Sequence, residues 1–337
     1  MNTAQKFIHN SQLLDLVPER SSTNKRPSVG IPPKMATRHE HQGAAGDPVA
    51  QPDVSIVLVT YNRARFIRQT LESIASQTYP YFEVLICDDC STDETQAVCA
   101  EYVQRDSRFR YLRNERNLAM PGNLNSGIRQ AQCEFIAGLH DGDIYAPTLI
   151  EKWREALIQH ATAGFVFNRY RHLDPEGQTR GTTAAFPELV RGDDFLTRCL
   201  ADQQLQCPVW GTVMARRSVY EEMGFFDARY SFWSDVDMWF RIAEKYDVAH
   251  VPEVLIDLPH RKTMPHLFDP YKLDTHRYTF QIYWEAKRRR YRRQPLAATV
   301  ELGKQTMGYS IALTARAMNK LRVAIQGGMA GRRVQPA

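Results

Sequence analysis

The stretch VSIVLVTYNRARFIRQTLESIASQTYPYFEVLICDDCSTDET, Val54 to Thr95, decides the fold. Its opening run, Val54 to Thr60, is apolar and β-branched without alternation, as expected of a strand buried on both faces. Phe66, Ile67, Thr70, Leu71, Ile74 and Ala75 then recur at helical spacing, and Thr78 to Pro80 stops that helix. A second buried strand, Phe82 to Cys87, runs into the polar turn DDCSTD, and Ala97, Val98 and Tyr102 mark the next helix.

The alternation continues outward. FRYLR (Phe109 to Arg113) reads as a strand, followed by a loop containing Asn117, a helix opened by Pro121, the strand EFIAGL and the tetrapeptide HDGD, His140 to Asp143. Pro147 is expected in the first turn of a helix carrying Leu149, Ile150, Trp153 and Leu157, where its missing N–H costs nothing. Such βαβ units predict an α/β fold: a Rossmann-like, mostly parallel sheet flanked by helices. AGFVFNRYRHLD reads as a further strand; the segment from Pro208 to Val248 closes the globular part, followed by a short strand, AHVPEVLIDL. The expected organisation is a flexible tail over residues 1–52, a globular α/β domain over 53–271 and a basic helical C-terminal extension over 272–337.

Composition narrows the function classes. The 337 residues are 43% hydrophobic and 24% charged with a formal charge of +5, an ordinary globular balance able to bury a large core. The basic run KRRRYRR, Lys287 to Arg293, points to contact with a local anionic surface or to a solvated helix face, and not to nucleic acid. Six scattered cysteines suit a reducing cytoplasm, and Cys87 and Cys90 have no second pair at zinc spacing. The apolar runs fall short of the ~18 residues of a membrane span, so a cytoplasmic protein is expected, at most peripheral at the inner face of the membrane.

In open α/β sheets, ligands bind at the carboxyl ends of the strands. Three polar clusters sit there: TYNR, DDCSTD and HDGD. The chain has no glycine between Gly46 and Gly122, so neither a dinucleotide fingerprint nor a P-loop follows the first strand. Carboxylates holding a divalent cation are the natural substitute for neutralising phosphate. Asp89 suits a nucleoside contact, while Asp93 suits a helix cap; the alternative for the whole turn is that it only redirects the chain. HDGD offers hard oxygen ligands for Mg²⁺ or Mn²⁺ and a glycine that lets a diphosphate approach, against the alternative of an Asx-type loop. In SFWSDVDMWFRIAEKY, Met238, Trp239, Ile242 and Ala243 form an apolar helical stripe that puts Asp235 and Asp237 in the first turn. There they serve the helix dipole, or, beside an aromatic neighbour such as Trp233, one acts as a general base with a raised pKa.

Together SIVLVTYNR, SIASQTYPYFEVLICDDCSTDET, NLAMPGNLNSGI, HDGDIYAP and RRSVYEEMGFFDARYSFWSDVDMWFRIA resemble the family 2 glycosyltransferases of GT-A fold, from Val54 to Arg261. The resemblance implies inverting transfer of a sugar from a nucleotide diphosphate, of uridine or thymidine type, to an acceptor hydroxyl, with Mg²⁺ or Mn²⁺ on the diphosphate. It implies that Thr60, Tyr61 and Arg63 flank the nucleoside and that Asp89 meets its base or ribose, with Asn117 and Asp141 also in the donor site. Asp143 and Asp141 stand at the acidic metal motif, and Asp235 at the general base. His260 in DLPHRKTMPH, with His266 second, stands where relatives carry a histidine reaching the metal or diphosphate.

Two departures matter. With Ile144 fixing the register, His140 replaces the motif's first aspartate and Gly142 the usual ligand, leaving Asp143, or Asp141 and Asp143 after a one-residue shift, with His140 as an extra ligand. Ser234 replaces the glutamate that usually precedes the base. These departures motivate the alternative of a catalytically weak nucleotide-sugar- or glycan-binding protein on the same scaffold. A sugar-phosphate nucleotidyltransferase would need a glycine-rich basic loop in place of TYNRARF. Without Q-x-x-R-W, a single-addition enzyme acting on a glycan, lipid-linked or protein acceptor is expected. The C-terminal basic helix is read as a peripheral membrane contact, a packing element or a homodimer interface.

Overall fold

The computed structural model describes residues 51–201, 207–260 and 273–291. Residues 1–50 of the tail, His266 and residues 292–337 lie outside them.

The opening stretch folds into β1 (Val54–Thr60), α1 (Ala64–Ala75) and β2 (Phe82–Asp88), followed by α2 (Thr95–Arg105), β3 (Phe109–Arg113), α3 (Ala119–Gln130) and β4 (Phe135–His140). Strands β1, β2, β3 and β4 are mutually parallel in the order β3-β2-β1-β4. All seven β1 residues are buried, and alternation explains it. Ile56 and Leu58 face Ile67, Leu71 and Trp153 on one side of the sheet, while Val57 and Val59 face Leu124, Ile128 and Trp239 on the other.

A two-residue strand, β5 (Ile144–Tyr145), precedes α4 (Leu149–Gln159) and β6 (Ala163–Leu173). Pro147 falls before α4, not in its first turn. The Leu149 amide donates to the Ala146 carbonyl at 3.0 Å, so Pro147 and Thr148 are the central residues of a tight turn, where proline's fixed φ is equally suited. Next come β7 (Thr179–Thr182), β8 (Leu189–Val190), α5 (Gly192–Ala201), β9 (Val213–Arg216) and α6 (Arg217–Met223). A 3-10 turn over Ala228–Trp233 leads into α7 (Ser234–Ala243), then β10 (Asp247–Leu258) and α8 (Leu273–Tyr291).

Strand β9 is the sheet's hinge. It pairs antiparallel with β4 and with β6, and β6 pairs parallel with β10, giving β3-β2-β1-β4-β9-β6-β10-β5 along the sheet. The carboxyl ends of β1, β2, β4, β6 and β10 therefore share one rim, where β9 begins. Strand β10 is long, not short: its twelve residues carry register shifts around Val251 and Val254. Pro252 sits between them, where a residue without an N–H can leave the ladder.

Two residues in the described part of the basic run, Lys287 and Arg289, turn into the protein. Lys287 is buried, and Arg289 Nε donates to Glu244, the C-cap of α7, at 2.7 Å. Ile282 and Ala286 are buried in the same hydrophobic cluster as α7. No helix among the described residues is long and apolar enough to cross a membrane.

Candidate active site

The loops after β1 and β2 are tied into one unit. Asn62, with φ +52°, donates its amide to Ser91 Oγ at 2.9 Å and accepts the Thr92 amide on Oδ1 at 2.8 Å. The Arg63 amide donates to Thr95 Oγ1 at 2.8 Å. Asp93 accepts the Thr95 amide at 3.0 Å and the Ala64 amide at 3.1 Å, so the expected cap ties the starts of α1 and α2 together. Tyr61 stands exposed on this rim. Cys87 is a packing residue: burial pushes its thiol up to about 12.

The paired aspartates divide their work. Asp88 is fully buried and accepts from Ser91 and the Tyr111 hydroxyl. Asp89 organises the next loop, accepting Asn114 Nδ2 at 2.9 Å, the Leu118 amide at 2.7 Å and the Ala119 amide at 2.9 Å. Asn117 is exposed and accepts the same Ala119 amide at 2.9 Å. Asp89 and Asn117 thus meet around one backbone N–H, at the carboxyl end of β2.

HDGD closes β4 as a tight loop. Gly142 has φ +87°, a conformation that favours glycine. Its amide donates to Thr70 Oγ1 at 2.8 Å, and that hydroxyl donates to the Asp143 carbonyl at 2.8 Å. Asp141 and Asp143 are both buried. His140 Nδ1 lies 3.0 Å from the Asp141 carbonyl and 3.1 Å from its carboxylate, and Arg63 Nε lies 3.6 Å from the same carboxylate. Burial pushes the Asp141 carboxyl up, but His140, Arg63 and the Thr60 hydroxyl outweigh it and hold the acid below its ordinary value. Thr60, Arg63, His140 and Asp141 therefore form one cluster. His260 is exposed and is not drawn into it. The antiparallel register Ile256↔Tyr145 and Asp257↔Ile144 nevertheless directs the end of β10 toward Asp143. Among the described residues no three His, Cys, Asp or Glu side chains gather as metal ligands.

Across the rim stands Asp235, in the first turn of α7. Its partner is not the neighbouring Trp233 but Trp210, whose amide donates to Asp235 Oδ2 at 3.0 Å; the Val236 amide donates to Oδ1 at 2.7 Å. Burial raises the Asp235 pKa to about 6 against these amides, which favour the charged form. Asp237 does something else, accepting Arg241 Nε at 2.8 Å.

The residue after Trp210 completes the link. Gly211 has φ +94°, and a Cβ there would come 2.8 Å from His140 Cβ and 3.7 Å from Asp143 Oδ2. Residues 210 and 211 therefore join Asp235 to HDGD. Tyr170 of β6 belongs here too: burial first, then the charges of Cys207, Asp235 and Asp143, push its phenol up to about 12. Neither contribution has a local sequence signal. A tyrosine in a strand reads as core, and W-G-T reads as a turn.

Comparison with known proteins agrees with this architecture. The family described as "Glycosyl transferase family 2" matches residues 55–224. The glycosyltransferase TuaG of Bacillus subtilis (strain 168), named for teichuronic acid biosynthesis, is 30% identical over 146 residues, 43% of this chain and 58% of its own length. The uncharacterized glycosyltransferase MJ1057 of Methanocaldococcus jannaschii is 24% identical over 71% of this chain and 81% of its own. The chain thus spans little more than half of TuaG. Among solved structures, S. aureus TarS 1-349 in complex with UDP superposes with a TM-score of 0.55 at 17% identity, covering 70% of this chain and 65% of that one. The mannosyltransferase PcManGT of Pyrobaculum calidifontis, in complex with GDP-Man and Mn²⁺, gives a TM-score of 0.53 at 18% identity over 88% of this chain and 85% of that one. These two show the GT-A fold. With more than half of its residues inside the family match and the sheet order and rim described above, this chain belongs to the family 2 glycosyl transferases.

Proposed function

We propose that the protein transfers a sugar from a nucleotide-diphosphate sugar to an acceptor hydroxyl with inversion, using Asp235 as the general base. The observation that carries this reading is the Asp235 carboxyl. It is raised to about 6 by burial and joined through Trp210 and Gly211 to the aspartate loop. A base with that pKa is ionised at neutral pH yet more basic than an ordinary carboxylate. In a single displacement Asp235 removes the acceptor proton as the acceptor oxygen bonds to the anomeric carbon. The nucleoside diphosphate leaves from the opposite face with the electron pair of the broken C–O bond. Thr60, Tyr61 and Arg63 line the nucleoside side, with Asp89 and Asn117 shaping the loop that meets the base or ribose.

The donor set of HDGD fits a hard divalent cation: two buried carboxylates, one held ionised, on a loop whose glycine leaves room for phosphate. Asp143 and Asp141 would hold Mg²⁺ or Mn²⁺; His260, exposed beyond the end of β10, would have to move to add a further ligand. Such a cation supplies neutralisation of the charge growing on the departing diphosphate. TarS and PcManGT are described with UDP and GDP-Man respectively, so uridine, thymidine and guanosine donors all belong in the test. Thermal-shift and calorimetric titration with UDP, dTDP and GDP should show one nucleotide binding at least ~10-fold more tightly with Mn²⁺ than without it. Asp143→Asn should remove that metal dependence. Binding indifferent to metal would overturn the carboxylate assignment.

The pH profile follows from the same carboxyl. Asp235 acts only when ionised, so donor turnover should rise through a midpoint near pH 6 and level off above it. A turnover that stays flat from pH 5 to 8, with nucleotide bound throughout, would remove Asp235 from the mechanism.

A further inference from the structure

Asp235 lies beyond the residues matched by the family, on a segment gripped from three sides. On one, Asn125 of α3 exchanges two hydrogen bonds with the Phe226 main chain, Nδ2 to O at 2.8 Å and Oδ1 from N at 3.0 Å. On the second, the Arg241 guanidinium donates to the Phe225 carbonyl at 2.9 Å and to the Met223 carbonyl. The third side is α8. The buried Tyr230 donates its hydroxyl to Glu285 Oε2 at 2.8 Å, and Gln281 Nε2 donates to Glu285 Oε1 at 3.0 Å. Arg289 pairs with Glu244, the C-cap of α7, at 2.7 Å and approaches Glu285 at 3.8 Å, while the Tyr283 ring meets Phe240 edge-on at 5.6 Å.

We infer that α8 is a working part of the catalytic unit, with Tyr230 and Glu285 positioning residues that fix the turn presenting Asp235; this rests on the reading of Asp235 as the base. Ser231, directly after Tyr230, has φ +47° and ψ −123°. A non-glycine residue keeps such a conformation only where its surroundings over-determine it. The Tyr230 anchor is the neighbouring constraint, and four residues separate it from the base. A helix that merely covered apolar surface would need Ile282 and Ala286 but not a buried tyrosine hydroxyl aimed at a carboxylate held by Gln281 and Arg289. The inference also brings a segment outside the family match into the active protein.

The test uses the full chain, with UDP, dTDP and GDP as binding probes and their sugar conjugates as donors. Tyr230→Phe, which keeps the ring packed, and Glu285→Ala should each lower kcat by about 10-fold or more while donor KM and nucleotide Kd stay within about twofold. Glu285→Gln retains an acceptor for the tyrosine hydroxyl and should recover kcat to within about threefold. If Asp235→Asn is inactive while Tyr230→Phe and Glu285→Ala turn over normally, the positioning role is wrong and the base stands. If Asp235→Asn is itself active, the base reading falls. A parallel loss of kcat, nucleotide affinity and Tm in Tyr230→Phe would show general loosening and overturn the inference. Should Glu285→Ala fail to fold, Tyr230→Phe decides alone.

Discussion

Replacing Asp235 with Asn is expected to lower donor turnover by about 10²- to 10⁴-fold, the usual contribution of a positioned general base. Nucleotide affinity should change by less than about threefold, because the groups assigned to the nucleoside lie across the rim on β1, β2 and the loop before α3. Stability provides a second readout of opposite sign. The folded-state pKa of Asp235 is raised, so folding takes up protons between the unfolded value and about 6. Stability from this group is full below the unfolded pKa and is lost as pH rises through about 6, which leaves a burial cost at neutral pH. Asn carries no such charge and can still accept one amide hydrogen. Asp235→Asn should therefore melt close to the parent at pH 7, the removed charge offsetting the one amide left without an acceptor. An inactive variant with a clearly reduced Tm would point to misfolding and not to a missing base.

Gly211→Ala is expected to be costly in both stability and turnover. An added Cβ meets His140 Cβ at 2.8 Å, and the backbone stands at φ +94°. An L-residue forced into a sparsely populated conformation costs about 1–3 kcal/mol, and overpacking a tight contact costs about 1–3 kcal/mol more. The sum corresponds to a Tm lowered by roughly 5–15 °C for a domain of this size. The activity consequence is separate. Movement of residue 211 shifts the Trp210 amide that holds Asp235 and presses on the aspartate loop. Turnover should fall by about 10- to 100-fold even well below the melting transition. Wild-type kcat in Gly211→Ala would show that the link between the two halves of the site is incidental.

The βαβ half of the fold was legible from local pattern alone. The burial of β1 on both faces and the spacing of Ile67, Leu71 and Ile74 determine strand and helix without reference to anything distant. Asp141, Asp143 and Asp235 were legible as candidates because carboxylates at strand ends and helix starts are few and chemically distinctive. The contacts made by those carboxylates were not. Trp233 is adjacent in sequence, but the amide that meets Asp235 comes from Trp210, 25 positions earlier. Tyr170 sits in a strand whose pattern says only that it packs. The Pro147 turn shows the limit of local reading: a proline with fixed φ fits both a helix start and a turn, and the Leu149–Ala146 hydrogen bond distinguishes them.

A strand running backwards through an otherwise parallel neighbourhood reverses the map from sequence to role. In β1, β2 and β4 it is the residues leaving the strand that form the proposed donor site. In β9 it is the residues entering it, and the far end is clamped by Arg216 to Glu134 at 2.7 Å, where β4 starts. Substitutions just ahead of Val213 should register as changes in chemistry, and substitutions just beyond Ala215 as changes in melting. One short strand thereby divides neighbouring positions into two populations that a mutational scan would separate by assay, not by distance along the chain.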